Sequence, residues 1–231
     1  MLQNTSALHG YQLTAKDGAI GHVKDFYFDD QTWVIRYLVA DTGSWLSGRL
    51  VLLSPHAFGA LDEAKKTLHV KLTKKQIENS PAPESHQPVS RQYETAYYRY
   101  YGWPVYWEGD AMWGLGGFPM VLPPSKDALE ARLKIHHRDD KHLQSAQAVN
   151  GYAIHATDGE IGTVSGFMVD EKSWAIRDLI VEAGHWYAGK EILIAPNKVT
   201  RISYVDSCVF VDLTKADIER TAENAVAKAG V

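Results

Sequence analysis

The sequence predicts a mainly β protein with minor α: two repeated small antiparallel β-barrels joined by a partly helical, aromatic-rich connector. Three observations carry this expectation. The chain repeats itself at a fixed offset, each copy alternates short apolar runs with Asp- and Gly-bearing turns, and the stretch between the copies is dense in tyrosine and tryptophan.

The repeat sets the domain count. Asp17–Trp45 reads DGAIGHVKDFYFDDQTWVIRYLVADTGSW, and 141 positions further on Asp158–Trp186 reads DGEIGTVSGFMVDEKSWAIRDLIVEAGHW, with no insertion or deletion. Pairing residues 2–78 with 143–219 gives 28 identities in 77 positions. The expected layout is a first barrel over 2–78, a connector over 79–142, a second barrel over 143–219 and a helical tail over 220–231.

Within each copy the elements follow in order. Gly10–Ala15 and Ile20–Asp29 flank the turn Lys16-Asp17-Gly18, whose counterpart is Thr157-Asp158-Gly159; Asp-Gly supplies the positive φ of a tight hairpin. Along the second strand Ile20, Val23, Phe26 and Phe28 match Ile161, Val164, Phe167 and Val169. Their three-residue steps break strict alternation, which predicts a bulge that bends the strand. Trp33–Asp41 is apolar on both alternating sets, the pattern of a strand buried on both faces. Gly43 and Gly48 bracket the next turn, Leu50–Ser54 stops at Pro55, and two short strands follow near Ala57–Leu61 and Thr67–Leu72. Thr73 with Gln76, and Thr214 with Asp217, are capping-box pairs that open a helix in each copy. The first helix should end before Pro81 and the second should run to about Ala227. A barrel of about 75 residues buries only roughly 60% of its unfolded surface, so two such units gain from mutual support.

Composition narrows the function classes. The net charge is −4 with both signs mixed along the chain, so nucleic acid is not expected as a partner. No apolar run approaches the ~20 residues of a membrane-spanning helix, and no signal peptide precedes the repeat. The single cysteine, Cys208, cannot pair internally; it reads as a small buried hydrophobe in a reducing cytoplasm.

No catalytic, cofactor or metal site is expected. His136, His137 and His142 with Asp139 and Asp140 form the densest ligand-like group, but HExxH and paired cysteines are missing, so a solvated charged stretch is the reading. The other histidines change between copies: His22 faces Thr163 in the alignment, His56 faces Asn197, and His185 faces Ser44. Trp-Gly-Leu-Gly-Gly-Phe lacks the strand, helix and Lys-Ser/Thr of a phosphate loop, and no Gly-x-Ser-x-Gly elbow occurs. What does repeat is Asp17, Gly18, Gly21, Trp33, Arg36 and Trp45 against Asp158, Gly159, Gly162, Trp174, Arg177 and Trp186. These are parts of a fold, with Asp29 and Arg36 placed for a cross-strand ion pair.

In the connector, 10 of the 26 residues from Tyr93 to Phe118 are aromatic. Ser90 can cap a helix that starts at Arg91 and stops at Gly102-Trp103-Pro104, with Tyr93, Tyr97, Tyr100 and Tyr101 on one face. That face either packs on a barrel and fastens the copies together, or offers Tyr97, Tyr98, Tyr101, Trp103, Tyr106, Trp107 and Trp113 as a partner surface, tyrosine and tryptophan being strong interface anchors. Gly109–Pro124 reads as a loop.

The run GYQLTAKDGAIGHVKDFYFDDQTWVIRYLVADTGSWLSGRLVLLSP resembles the PRC-barrel family, a domain shared by the photosynthetic reaction-centre H subunit and the ribosome-maturation factor RimM. The resemblance covers residues 2–78 and, independently, 143–219, and the stretches SPAPESHQPVSRQYETAYYRYYGWPVYW and HLQSAQAVNGY resemble the segments that link paired PRC-barrels in stand-alone bacterial proteins. It implies a six-stranded antiparallel barrel acting as a binding or scaffold module. The expected function is therefore a non-enzymatic scaffold or interaction module that binds a protein or self-associates as a homodimer. The alternatives are an accessory to a photosynthetic or electron-transfer membrane complex, by analogy with the H subunit, and an enzyme with a site between the barrels.

Overall fold

A computed structural model of the chain describes residues 1–80, 91–107, 113–114, 142–187 and 190–220. It divides into two compact units: Leu8–Leu143, and Met1–Ala7 together with Gln144–Val231. Each is built on one seven-stranded sheet.

The chain opens with β1 (Leu2–Asn4) and one helical turn, α1 (Thr5–Leu8). Then come β2 (Gln12–Ala15), β3 (Gly18–Asp29), β4 (Val34–Asp41), β5 (Leu50–Leu53), β6 (Phe58–Asp62) and β7 (Thr67–Val70), followed by α2 (Lys74–Glu78) and α3 (Arg91–Tyr101). The second repeat supplies β8 (Leu143–Ser145), a helical turn over Ala146–Val149, β9 (Ala153–Ala156), β10 (Gly159–Asp170), β11 (Ile176–Ala183), β12 (Glu191–Ile194), β13 (Val199–Ser203) and β14 (Cys208–Val211).

The two sheets have the same strand order. One runs β5-β4-β3-β2-β7-β6 with β8 added on β3, and the other runs β12-β11-β10-β9-β14-β13 with β1 added on β10. This departs from the sequence expectation in three ways. The pairing path of each sheet is open at its ends, so neither is a closed barrel among the described residues. The sheets are not wholly antiparallel, because β2 pairs β7 and β9 pairs β14 in parallel. Finally, the leading strand of each repeat adds to the sheet of the other.

The expected bend in the second strand is present. Register shifts leave Lys24 unpaired between Val23 and Asp25, and Ser165 unpaired between Val164 and Gly166, and a second shift lies near each strand's end. β4 is buried from Val34 to Ala40, as its doubly apolar pattern predicts. Its counterpart β11 buries Leu179, Val181 and Ala183 but exposes Arg177 and Glu182. The core of the first unit gathers Leu13, Ile20, Phe26, Phe28, Leu38 and Leu68; that of the second gathers Ile154, Ile161, Phe167, Leu179, Val181 and Val209.

α2 has the predicted capping box, with the Thr73 side chain accepting from the Gln76 N–H and the Gln76 side chain accepting from the Thr73 N–H. In the second repeat Asp217 Oδ2 accepts from the Thr214 N–H at 3.0 Å while Thr214 Oγ1 accepts from the Asp217 N–H at 3.1 Å. The expected end of that helix near Ala227 lies outside the described residues. α3 starts at Arg91 and gives way at Gly102 (φ +69°), as read; the proposed cap Ser90 lies outside the described residues.

Candidate functional site

The residues kept in both repeats perform matching structural tasks. Asp17 Oδ1 accepts the Lys74 N–H at 2.8 Å, and Asp158 accepts the Lys215 N–H at 3.1 Å, so the hairpin Asp also caps the closing helix. A Cβ on Gly21 would lie 1.9 Å from the Asp41 carbonyl oxygen, and one on Gly162 would lie 2.1 Å from that of Glu182. Only glycine lets those strands approach. Asp29 Oδ1 accepts from the N–H groups of Gln31 (2.9 Å) and Thr32 (3.0 Å), folding the turn into β4. Asp170 Oδ1 does the same for Lys172 (3.0 Å) and Ser173 (2.8 Å), and these hydrogen bonds hold its carboxyl below the usual range.

The tryptophans that end these turns sit at φ +55° (Trp33) and +56° (Trp174), each donating its N–H to the turn Asp carbonyl at 2.7 Å. A left-handed tryptophan is a strained choice that no sequence signal announces. The pair is not equally buried: Trp174 is 3% exposed, whereas Trp33 is half-buried and stacks on Phe28 at 5.6 Å. Trp45 is half-buried, with the Lys74 ammonium 5.0 Å from its ring. The side chain of Trp186 lies outside the described residues. Cys208 is half-buried rather than a core residue, its thiol 3.2 Å from the Asp206 carbonyl.

The arginines shared by the two repeats diverge. Arg177 is exposed, whereas Arg36 is 1% exposed. Its guanidinium lies 3.8 Å from Asp29, donates to Thr32 Oγ1 at 2.8 Å, and sits 3.9 Å from the Tyr106 ring centroid and 5.0 Å from that of Trp113. The expected Asp29–Arg36 ion pair thus exists, but aromatic faces from the connector cover it.

That cover is the most elaborate polar cluster of the described residues. α3 reaches Tyr37 of β4 and Ser54 at the end of β5. Glu94, fully buried, accepts from the Tyr37 hydroxyl at 2.9 Å and the Tyr106 hydroxyl at 2.6 Å. Burial, reinforced by the nearby Glu94 carboxylate, raises the Tyr37 phenol well above its ordinary pKa. The Tyr97 hydroxyl accepts the Ser54 N–H at 2.9 Å, which satisfies the backbone at the end of β5. His56 packs between rings, stacked on Trp103 at 5.4 Å and edge-on to Trp113 at 5.1 Å. Burial first, then the Arg36 and Lys71 charges, lower its pKa to about 4. Arg49 donates to the carbonyls of Glu78 (3.1 Å), the last residue of α2, and of Ser80 (2.7 Å) just beyond it. The Tyr100 hydroxyl donates to the Gln76 carbonyl at 2.9 Å.

Of the residues offered as a partner surface, Tyr97, Tyr98, Tyr106 and Trp113 are buried within the unit. Tyr101, Trp103 and Trp107 are half-buried, and Tyr100, 41% exposed, completes the accessible rim. The side chain of Tyr93 and most of Gly109–Pro124 lie outside the described residues. The carboxylate of the cluster is engaged by the Tyr37 and Tyr106 phenols, which ties α3 and the segment after it to β4. Glu94 and Ser54 were missed by sequence reasoning, although an acid at i−3 from Tyr97 on an otherwise aromatic face is a visible signal.

Among the described residues no three His, Cys, Asp or Glu side chains gather as a metal site. His142 bonds Asp30 at 3.0 Å; His136, His137, Asp139 and Asp140 lie outside the described residues. Among the described residues no helix is long and apolar enough to cross a membrane.

Residues 10–77 match the PRC-barrel domain. The match begins at Gly10 and ends at Ile77 of α2, so it takes in β2 to β7 and omits both β1 and α3. No curated protein matches the chain.

Proposed function

We propose that the chain is a non-enzymatic tandem PRC-barrel module that binds another protein or a second copy of itself. The observation that carries this is the division of labour between kept and changed residues. Asp17, Gly21 and Asp29 fold the first repeat by the same hydrogen bonds and close approaches that Asp158, Gly162 and Asp170 use in the second. Outer-face residues are free to change. Tyr37, Asp41 and Leu50 become Asp178, Glu182 and Glu191, and buried Leu52 becomes Leu193, which is 54% exposed. The second sheet therefore carries an accessible leucine where its first-repeat equivalent is buried, and we place the docking contact on that face.

Affinity capture from the native host with native mass spectrometry of the purified chain tests the reading. A retained partner or a concentration-dependent oligomer supports it. A chain that stays monomeric and retains nothing, or one that turns over a substrate, refutes it.

A further inference from the structure

The leading strands identify a peptide-accepting site. β1 pairs antiparallel with β10, placing Leu2 opposite Asp170, Gln3 opposite Val169 and Asn4 opposite Met168. The seat is shaped for this segment. Phe167 donates its N–H to Thr5 Oγ1 at 3.2 Å, and Ser6 Oγ donates to the carbonyl of the bulged Ser165 at 2.8 Å. The Glu171 N–H reaches the Met1 carbonyl at 3.0 Å. A Cβ on Gly166 would lie 2.8 Å from both Asn4 Oδ1 and Ser6 Oγ, so glycine at this place makes room for the segment; the first repeat has Asp25 there.

We propose that the edge of β10 is a strand-accepting site for an extended Leu-Gln-Asn-Thr-Ser segment, and that a second copy of the chain can fill it with its own residues 2–6. The inference rests on the interaction-module reading and gives it a partner. The segment is donated away from the repeat it precedes, and Leu143-Gln144, the matching start of the second repeat, is given to β3 in return. This reciprocal gift is the geometry of a strand-swapped dimer, fused into one chain by duplication. Only three residues pair, so the seat is held by a short contact that an equal segment can replace. Within one chain the segment competes at an effective concentration set by its tether, and donation between copies grows as the protein approaches that concentration.

Disulfide trapping in the full chain tests it, in a Cys208→Ser background. Opposed residues of antiparallel strands hold their Cβ atoms about 4.5–5.5 Å apart, near disulfide reach, and Asn4 and Met168 are both partly exposed. Asn4→Cys with Met168→Cys in one chain should close an internal link at low concentration. Asn4→Cys with Tyr27→Cys, the equivalent position of its own repeat, should not. Mixing size-tagged Asn4→Cys and Met168→Cys single variants should give a mixed disulfide dimer whose fraction rises at least several-fold between about 10 μM and 1 mM. Linkage to position 27 instead of 168 overturns the seat. An internal link with no mixed dimer at about 1 mM overturns donation by a second copy, and leaves capture of a different protein as the separate test of the module reading.

Discussion

Removing the Glu94 carboxylate should loosen the unit formed by Leu8–Leu143. The side chain is fully buried and takes hydrogen bonds from the Tyr37 and Tyr106 hydroxyls at 2.9 and 2.6 Å. Hydrogen bonds to a charged acceptor contribute about 1.5–3 kcal/mol each, and an orphaned buried hydroxyl costs about 1–3 kcal/mol. Glu94→Ala is therefore expected to destabilise by about 3–5 kcal/mol, and Tyr106→Phe, which leaves the Tyr37 bond in place, by about 1–3 kcal/mol. Urea unfolding followed by the fluorescence of Trp103, Trp107 and Trp113 reports on this region. In the double variant the effects should fail to add, with a coupling of at least about 1 kcal/mol. A Glu94→Ala chain within about 0.5 kcal/mol of the parent, or additive effects in the cycle, would refute the fastening role.

Gly21→Ala and Gly162→Ala should each cost more than about 3 kcal/mol, since the new methyl meets backbone at 1.9 and 2.1 Å, whereas Gly10→Ala, with φ +79° and open space, should cost about 1 kcal/mol; thermal melts distinguish them. Trp174→Ala should destabilise by about 3–5 kcal/mol and half-buried Trp33→Ala by clearly less, so equal melting shifts would contradict the asymmetry. His56 has a folded pKa of about 4 against 6.5 for the free side chain. The unfolded chain then binds the extra proton first, so the contribution of neutral His56 is complete above about pH 6.5 and is lost as pH falls toward 4. That part of the acid sensitivity, about 2–3 kcal/mol, should vanish in His56→Asn, the residue found at the equivalent place in the second repeat; an unchanged pH profile would refute it.

Much of the fold was legible because it is written in local chemistry. Asp17-Gly18 announces a turn, Thr73 with Gln76 announces a helix start, and the three-residue steps of Val23 and Phe26 announce a bulge. What escaped depends on relations that local chemistry does not encode. Leu2-Gln3 and Leu143-Gln144 read as the start of each copy, and nothing in either says that its hydrogen-bonding edge belongs to the other copy. Arg36 and Arg177 are the same letter in the same register, yet one is buried under Tyr106 and Trp113 and the other is exposed. The difference comes from the connector, which exists once. The aromatic face of α3 is visible in the spacing of its tyrosines, but whether Tyr97 and Tyr98 point into the protein or out of it depends on the tertiary docking of the helix, which sequence spacing alone leaves open.

The reciprocal placement of β1 and β8 means that the stretch copied by duplication and the body that folds are different objects. A deletion that removed one copy would leave its sister with a bare β edge and an unaccepted tail. A lone repeat could complete its sheet only by trading ends with a second molecule, so shortening the chain would exchange an internal dependence for an external one.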